Sequence, residues 1–157
     1  MKKILNPYIK VEGYNCFACS PNNENGLQMS FVEEGDYLLC DWEPKGFMAG
    51  YNNILHGGIQ ATLMDEIASW FVQVKMKTAG VTSNMNLRLK RTVQMDQGVI
   101  KLRAWLKEER RNLVDVNVEL INHDGKVGAE GVITYYTFPE DVAREKLNFP
   151  EPDDFYD

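Results

Sequence analysis

The run His56-Gly57-Gly58-Ile59-Gln60-Ala61-Thr62-Leu63-Met64-Asp65-Glu66-Ile67-Ala68-Ser69-Trp70-Phe71-Val72 constrains this chain more than any other stretch. At about 100° per residue, Ile59, Leu63, Ile67, Trp70, Phe71 and Val74 share roughly one third of a helical circumference. The spacing predicts a long helix, ending near Lys77, whose bulky stripe lies on a sheet. Its first turn holds two glycines, which are poor helix formers but leave backbone N–H groups open to close approach by a ligand. Asp65 points away from the stripe, among Gly58, Ala61, Ala68, Ser69 and Val72. Small residues admit a second packed element, and a carboxylate facing one must be satisfied or put to use. An Asp on a solvated face is the alternative; flanking Ala and Val, rather than Lys and Glu, argue against it.

His56 and Asp65 stand nine residues apart, or about 13 Å along a helix axis. Within one chain they cannot hold the same small group. Two copies packed antiparallel about a two-fold axis would bring Asp65 of one near the Gly57 end of the other, so a homodimer with two composite sites is expected, with a dimer of dimers left open.

Along the chain, residues 1–15 read as a short helix or extended arm, and 16–26 as a turn-rich loop ending in Asn25-Gly26. Leu27 to Glu33 and Tyr37 to Trp42 read as a hairpin across Glu34-Gly35-Asp36. A loop from Glu43 to Leu55 precedes the long helix. Strands follow at Val81 to Val93, Val99 to Lys107, Leu113 to Ile121 and Val127 to Phe138, with a charged turn at Glu108 to Asn112 and a tight one at Asp124-Gly125. Pro139 opens a short helix through Leu147, and the acidic tail after it is expected to be poorly ordered. The expected architecture is α+β: one long helix wrapped by a curved antiparallel sheet of about six strands, the last four a meander. Such a sheet has an open edge, which pairing across a two-fold axis would hide. We expect a single domain over 1–157, with its core at about 15–138 and the short helix and tail at 139–157.

Composition narrows the function. A formal net charge of −6 leaves no basic excess for phosphate neutralisation and argues against nucleic acid. No apolar run reaches membrane-spanning length, and Met1 to Pro7 has no signal-peptide core. The three cysteines, Cys16, Cys19 and Cys40, favour reduced thiols and a cytoplasmic location. Cys16-x-x-Cys19 invites a zinc reading, but a closed site needs four ligands, and Cys40, His56 and His123 show no paired spacing. No metal and no cofactor are expected.

The order of elements resembles the hotdog fold. Leu55-His56-Gly57-Gly58, with Asp65 nine places after the histidine, resembles the phenylacetate-pathway (PaaI-like) group of hotdog acyl-CoA thioesterases. The opening Cys16-Phe17-Ala18-Cys19-Ser20-Pro21-Asn22, with Gly26-Leu27, is similar to that of many uncharacterised members. The resemblance covers about residues 15 to 138. It implies hydrolysis of a small or medium acyl-CoA, with the Gly57 N–H, joined by Gly58, as an oxyanion hole at the helix N-terminus. It implies that Asp65 of the partner subunit activates water or attacks the carbonyl itself. His56 would shape the loop or bind the thioester, or simply cap the helix. Thr82 or Ser83 would hold the water, and Asn53 and Arg88 would contribute to substrate binding. Many members carry an asparagine six places before the histidine, where this chain has Gly50. That departure leaves room for a non-catalytic acyl-CoA-binding protein. A hotdog enoyl-CoA hydratase or dehydratase is disfavoured, because its His-Phe-Pro and Pro-Gly signatures are missing here.

Overall fold

The computed structural model describes residues 1–157. Seven strands form one antiparallel sheet: β1 (Lys2–Lys3), β2 (Val32–Glu34), β3 (Tyr37–Trp42), β4 (Gly80–Leu89), β5 (Ile100–Arg110), β6 (Leu113–Ile121) and β7 (Val127–Thr137). Helix α1 spans Gly57–Lys75, and α2 spans Glu140–Leu147. The strand order is β1-β2-β3-β5-β6-β7-β4. The predicted stripe of α1 is the one buried on the sheet: Leu63 and Ile67 are 0% exposed, Trp70 and Phe71 2%. This is the expected helix-in-sheet architecture.

The strand pairing and several boundaries differ from the sequence-based expectation. Only β5, β6 and β7 form a meander. β4 skips its sequence neighbour and pairs with β7, with Leu87 opposite Gly131, so a ten-residue strand stands at the sheet edge. It ends at Leu89 rather than Val93. The Glu108 to Asn112 turn is tighter than expected, because β5 runs on to Arg110 and the chain reverses at Arg111, whose φ is +55°.

Leu27 to Phe31 buries alternate residues as a strand would, with Leu27 at 1%, Met29 at 5% and Phe31 at 3% exposure. It is nevertheless not a ladder strand. Gln28 has a left-handed φ of 53°, and the Leu27 and Met29 amides donate to Phe17 and Ala18 carbonyls instead. The tail is also packed rather than loose. Phe149 and Phe155 are buried, and the Leu5 amide donates to the Phe155 carbonyl (2.8 Å). Two buried aromatic rings outweigh the entropy of fixing a short acidic segment.

The 16–27 loop explains its own glycine. A Cβ on Gly26 would fall 2.2 Å from the Phe17 carbonyl oxygen, a backbone atom that cannot step aside cheaply. Gly26→Ala is therefore expected to lower stability by about 1–3 kcal/mol, read as a lower urea midpoint at unchanged m-value.

Candidate active site

The mouth of α1 is built by its first three residues. His56 is the N-cap, and its Nδ1 accepts the Gly58 amide at 2.9 Å. A Cβ on Gly58 would lie 3.1 Å from the imidazole Nδ1 and Cε1, so the second glycine makes room for the ring to fold back over the helix end. The cap decides which donor is free. Gly58 is committed to His56, whereas the Gly57 N–H lies ahead of any intrahelical acceptor and has no other partner. Of the two glycine amides expected to form an oxyanion hole, Gly57 is the available one.

Two clefts flank this mouth. One, of about 440 Å³, is lined by Phe17, Phe47, Met48, His56, Ile59 and Thr62. The other, of about 500 Å³, runs past Gly50, Tyr51, Ile54 and Gly57. Gly50 thus forms part of the wall where the asparagine of related sequences would stand. A Cβ there would meet His56 Cα at 3.4 Å and its imidazole Cδ2 at 3.5 Å, ordinary contacts, so Gly50 packs directly against the helix cap.

Asp65 lies eight residues beyond Gly57 on the same helix, about 12 Å away along its axis. It is half-buried, and its Oδ1 accepts hydrogen bonds from Thr82 Oγ1 (2.9 Å) and the Tyr135 hydroxyl. Of the two candidates at the head of β4, Thr82 is therefore the one that meets the acid. Ser83 is exposed beside a register shift between Thr82 and Asn84. Burial first, and the Asp65 charge second, hold the Tyr135 hydroxyl well above the usual tyrosine range, so it stays protonated and donates. Tyr135 comes from β7, seventy residues away in sequence, and the sequence reading does not single it out.

Two expected binding residues are placed differently. The Asn53 side chain donates to Asp96 (3.1 Å) and fixes a turn in which Asn53 itself has a φ of 57°, so it is occupied away from the helix mouth. Arg88 is exposed near the end of β4, opposite Glu130 in the ladder. The sulfur- and phenol-bearing residues of the opening loop gather on another flank of α1, around Glu66. Burial pushes the Glu66 carboxyl up to about 7, with the Cys16 charge adding to it. The neighbouring Cys19 thiol draws the Cys16 thiol down to about 5, while the same pairing, together with burial, pushes Cys19 up.

A single long helix on a curved antiparallel sheet, with a bare amide at the helix mouth, defines the hotdog class. Residues 52–129 match the model of the thioesterase superfamily. The matched segment runs from the Gly50 loop through α1 to β7 and so contains His56, Gly57, Asp65 and Thr82. The fold is shared with a thioesterase from Haemophilus influenzae, at 18% identity over 73% of this chain and 84% of that one, TM-score 0.64. It is shared with zebrafish thioesterase superfamily member 2, at 24% identity over 69% of this chain and 80% of that one, TM-score 0.61. A Streptococcus mutans protein solved with bound acetyl-CoA is similar at 18% identity over 71% of this chain and 90% of that one, TM-score 0.64. No curated protein matches the chain in sequence. No helix of the structure is long and apolar enough to cross a membrane.

Proposed function

We propose that the chain is an acyl-CoA thioesterase of the PaaI-like group, working as a homodimer with a site shared between subunits. The observation that carries this reading is the pairing of two features on one helix: a partnerless Gly57 amide at its mouth, and an anchored Asp65 two turns further on. A thioester carbonyl at the mouth would receive the Gly57 N–H and the positive end of the α1 dipole as its oxygen gains charge. Asp65 of the other subunit would then supply the base or nucleophile, with Thr82 and Tyr135 fixing its orientation. The acetyl-CoA held by the Streptococcus mutans protein of the same fold supports a coenzyme A thioester as ligand class. The three cysteines are free thiols, which agrees with a reducing, cytoplasmic setting.

The β4 edge supports the dimer. Met85 and Leu89 stand on one face of it at 48% and 46% exposure, opposite buried Ile133 and Ala129, on a long strand whose outer edge has no partner. Met85→Lys is expected to shift the protein from dimer to monomer in sedimentation velocity at micromolar concentration, and to reduce turnover with it.

The direct test is a panel of acyl-CoAs incubated with the protein and a thiol reagent. Release of CoA from one chain-length class supports the reading. Gly50 favours a second reading, binding without turnover; it would show as saturable acyl-CoA binding with no thiol released. Hydration of crotonyl-CoA without thiol release would point to hydratase chemistry instead.

A further inference from the structure

On the flank of α1 away from the Asp65 contacts, two segments far apart in sequence meet. The Cys16 and Cys19 sulfurs and a Glu66 carboxylate oxygen all lie within 4.8 Å of one another. We propose that these three side chains form a zinc site, with its fourth position open to an adjoining cleft.

The geometry fits one small cation. Cys16 Sγ lies 3.6 Å from Glu66 Oε1. A thiolate and a carboxylate bound to one tetrahedral zinc, at bond lengths of about 2.3 and 2.1 Å, would stand about 3.6 Å apart. The two-residue spacing sets both cysteines in one turn, closed by the Ser20 amide donating to the Cys16 carbonyl (3.2 Å), which brings the two sulfurs together. The surroundings orient the other ligands. The Trp70 indole N–H donates to Glu66 Oε1 at 3.0 Å, the Tyr14 hydroxyl sits 2.9 Å from Cys19 Sγ, and Asn6 donates both to that hydroxyl and to the Cys19 carbonyl. Outer contacts of this kind fix ligand rotamers at metal centres.

No Lys or Arg forms an ion pair with any of the three, so no cationic side chain of the protein takes the position between them. Two thiolates with one carboxylate suit zinc better than magnesium or calcium, which take oxygen ligands. The cleft beside the cluster, about 420 Å³, is lined by Tyr8, Tyr14, Ser69 and Gln73 among others and leaves room for water as the fourth ligand. Binding would hold Cys16 and Cys19 as thiolates, any thiol proton leaving to solvent as the Zn–S bonds form, and would staple the opening loop to α1. Sequence spacing pointed away from a metal because the third ligand is neither His nor Cys and comes fifty residues later.

The test uses tag-free, full-length protein kept reduced. Wild type is expected to hold about one zinc per chain by native mass spectrometry and elemental analysis. After chelation, Co²⁺ should produce a thiolate-to-metal charge-transfer band that Zn²⁺ displaces, and Zn²⁺ should raise the melting temperature. Cys16→Ser should abolish the band, Glu66→Gln should weaken zinc retention at least ~10-fold, and Cys40→Ser should change neither. If Cys16→Ser fails to fold, the cobalt spectrum of wild type and the Glu66→Gln affinity decide the matter. The proposal is overturned by reduced wild type that binds no zinc at micromolar metal, by binding indifferent to Cys16 and Glu66, or by a Cys16–Cys19 disulfide as the only stable form. None of these readouts depends on thioester hydrolysis.

Discussion

Asp65→Asn is expected to lower the rate of CoA release by about 10²–10⁴-fold, the range of a lost general base, while leaving the fold intact. The substitution preserves shape. An amide oxygen can still accept from Thr82 and Tyr135, which both bond to Oδ1. What disappears is the carboxylate, and with it the capacity to take a proton from water or attack the carbonyl. The loss should therefore fall on kcat, with KM changed little, because the substrate carbonyl is held by the Gly57 mouth. Mixing subunits then tests the shared site. Asp65→Asn protein retains a good mouth and Gly57→Val protein retains a good acid. Random mixed dimers should recover roughly a quarter of wild-type activity, since half are heterodimers and each holds one complete site. An unchanged kcat in Asp65→Asn would reduce this acid to a tie between helix and sheet. Failure of the mixture to recover would show that each chain works alone.

Trp70→Ala is expected to cost about 3–5 kcal/mol, a large share of the roughly 5–15 kcal/mol that holds a domain together. At about 2–4 °C per kcal/mol for a chain of this size, the melting temperature should fall by some 6–20 °C. The reason is position. Trp70 is 2% exposed; its ring stacks on Phe31 at 4.9 Å and meets Phe155 and Tyr8 edge-on at 5.8 and 6.2 Å. Its N–H also orients Glu66. One residue thus clamps the arm before the first hairpin and the tail after α2 onto the same helix. Trp70→Phe, which keeps most of the buried ring but loses the N–H, should cost less. A loss below about 1 kcal/mol for the alanine variant would mean that arm and tail are not docked in solution.

Much of this architecture could be read before any coordinates. The α1 stripe, the β5 and β6 alternations, and the reversals at Gly35-Asp36 and Asp124-Gly125 follow from residues within one or two turns of each other. Such patterns depend on side-chain direction along a single element, which the covalent chain dictates. The same reasoning marked Gly57 and Asp65 as unusual. It did not separate Thr82 from Ser83, because a bulge in β4 shifts the register by an amount no local pattern records.

Local sequence thus determined which segments are helical, which alternate, and which side of α1 carries bulk or an acid. Tertiary packing decided the rest: β4 beside β7, the tail under Trp70, Tyr135 on Asp65, and Glu66 between two cysteines fifty residues upstream. These are contacts between remote residues. They are selected because together they pair backbone groups and remove apolar surface from water, a balance struck over the whole chain rather than within any stretch of it.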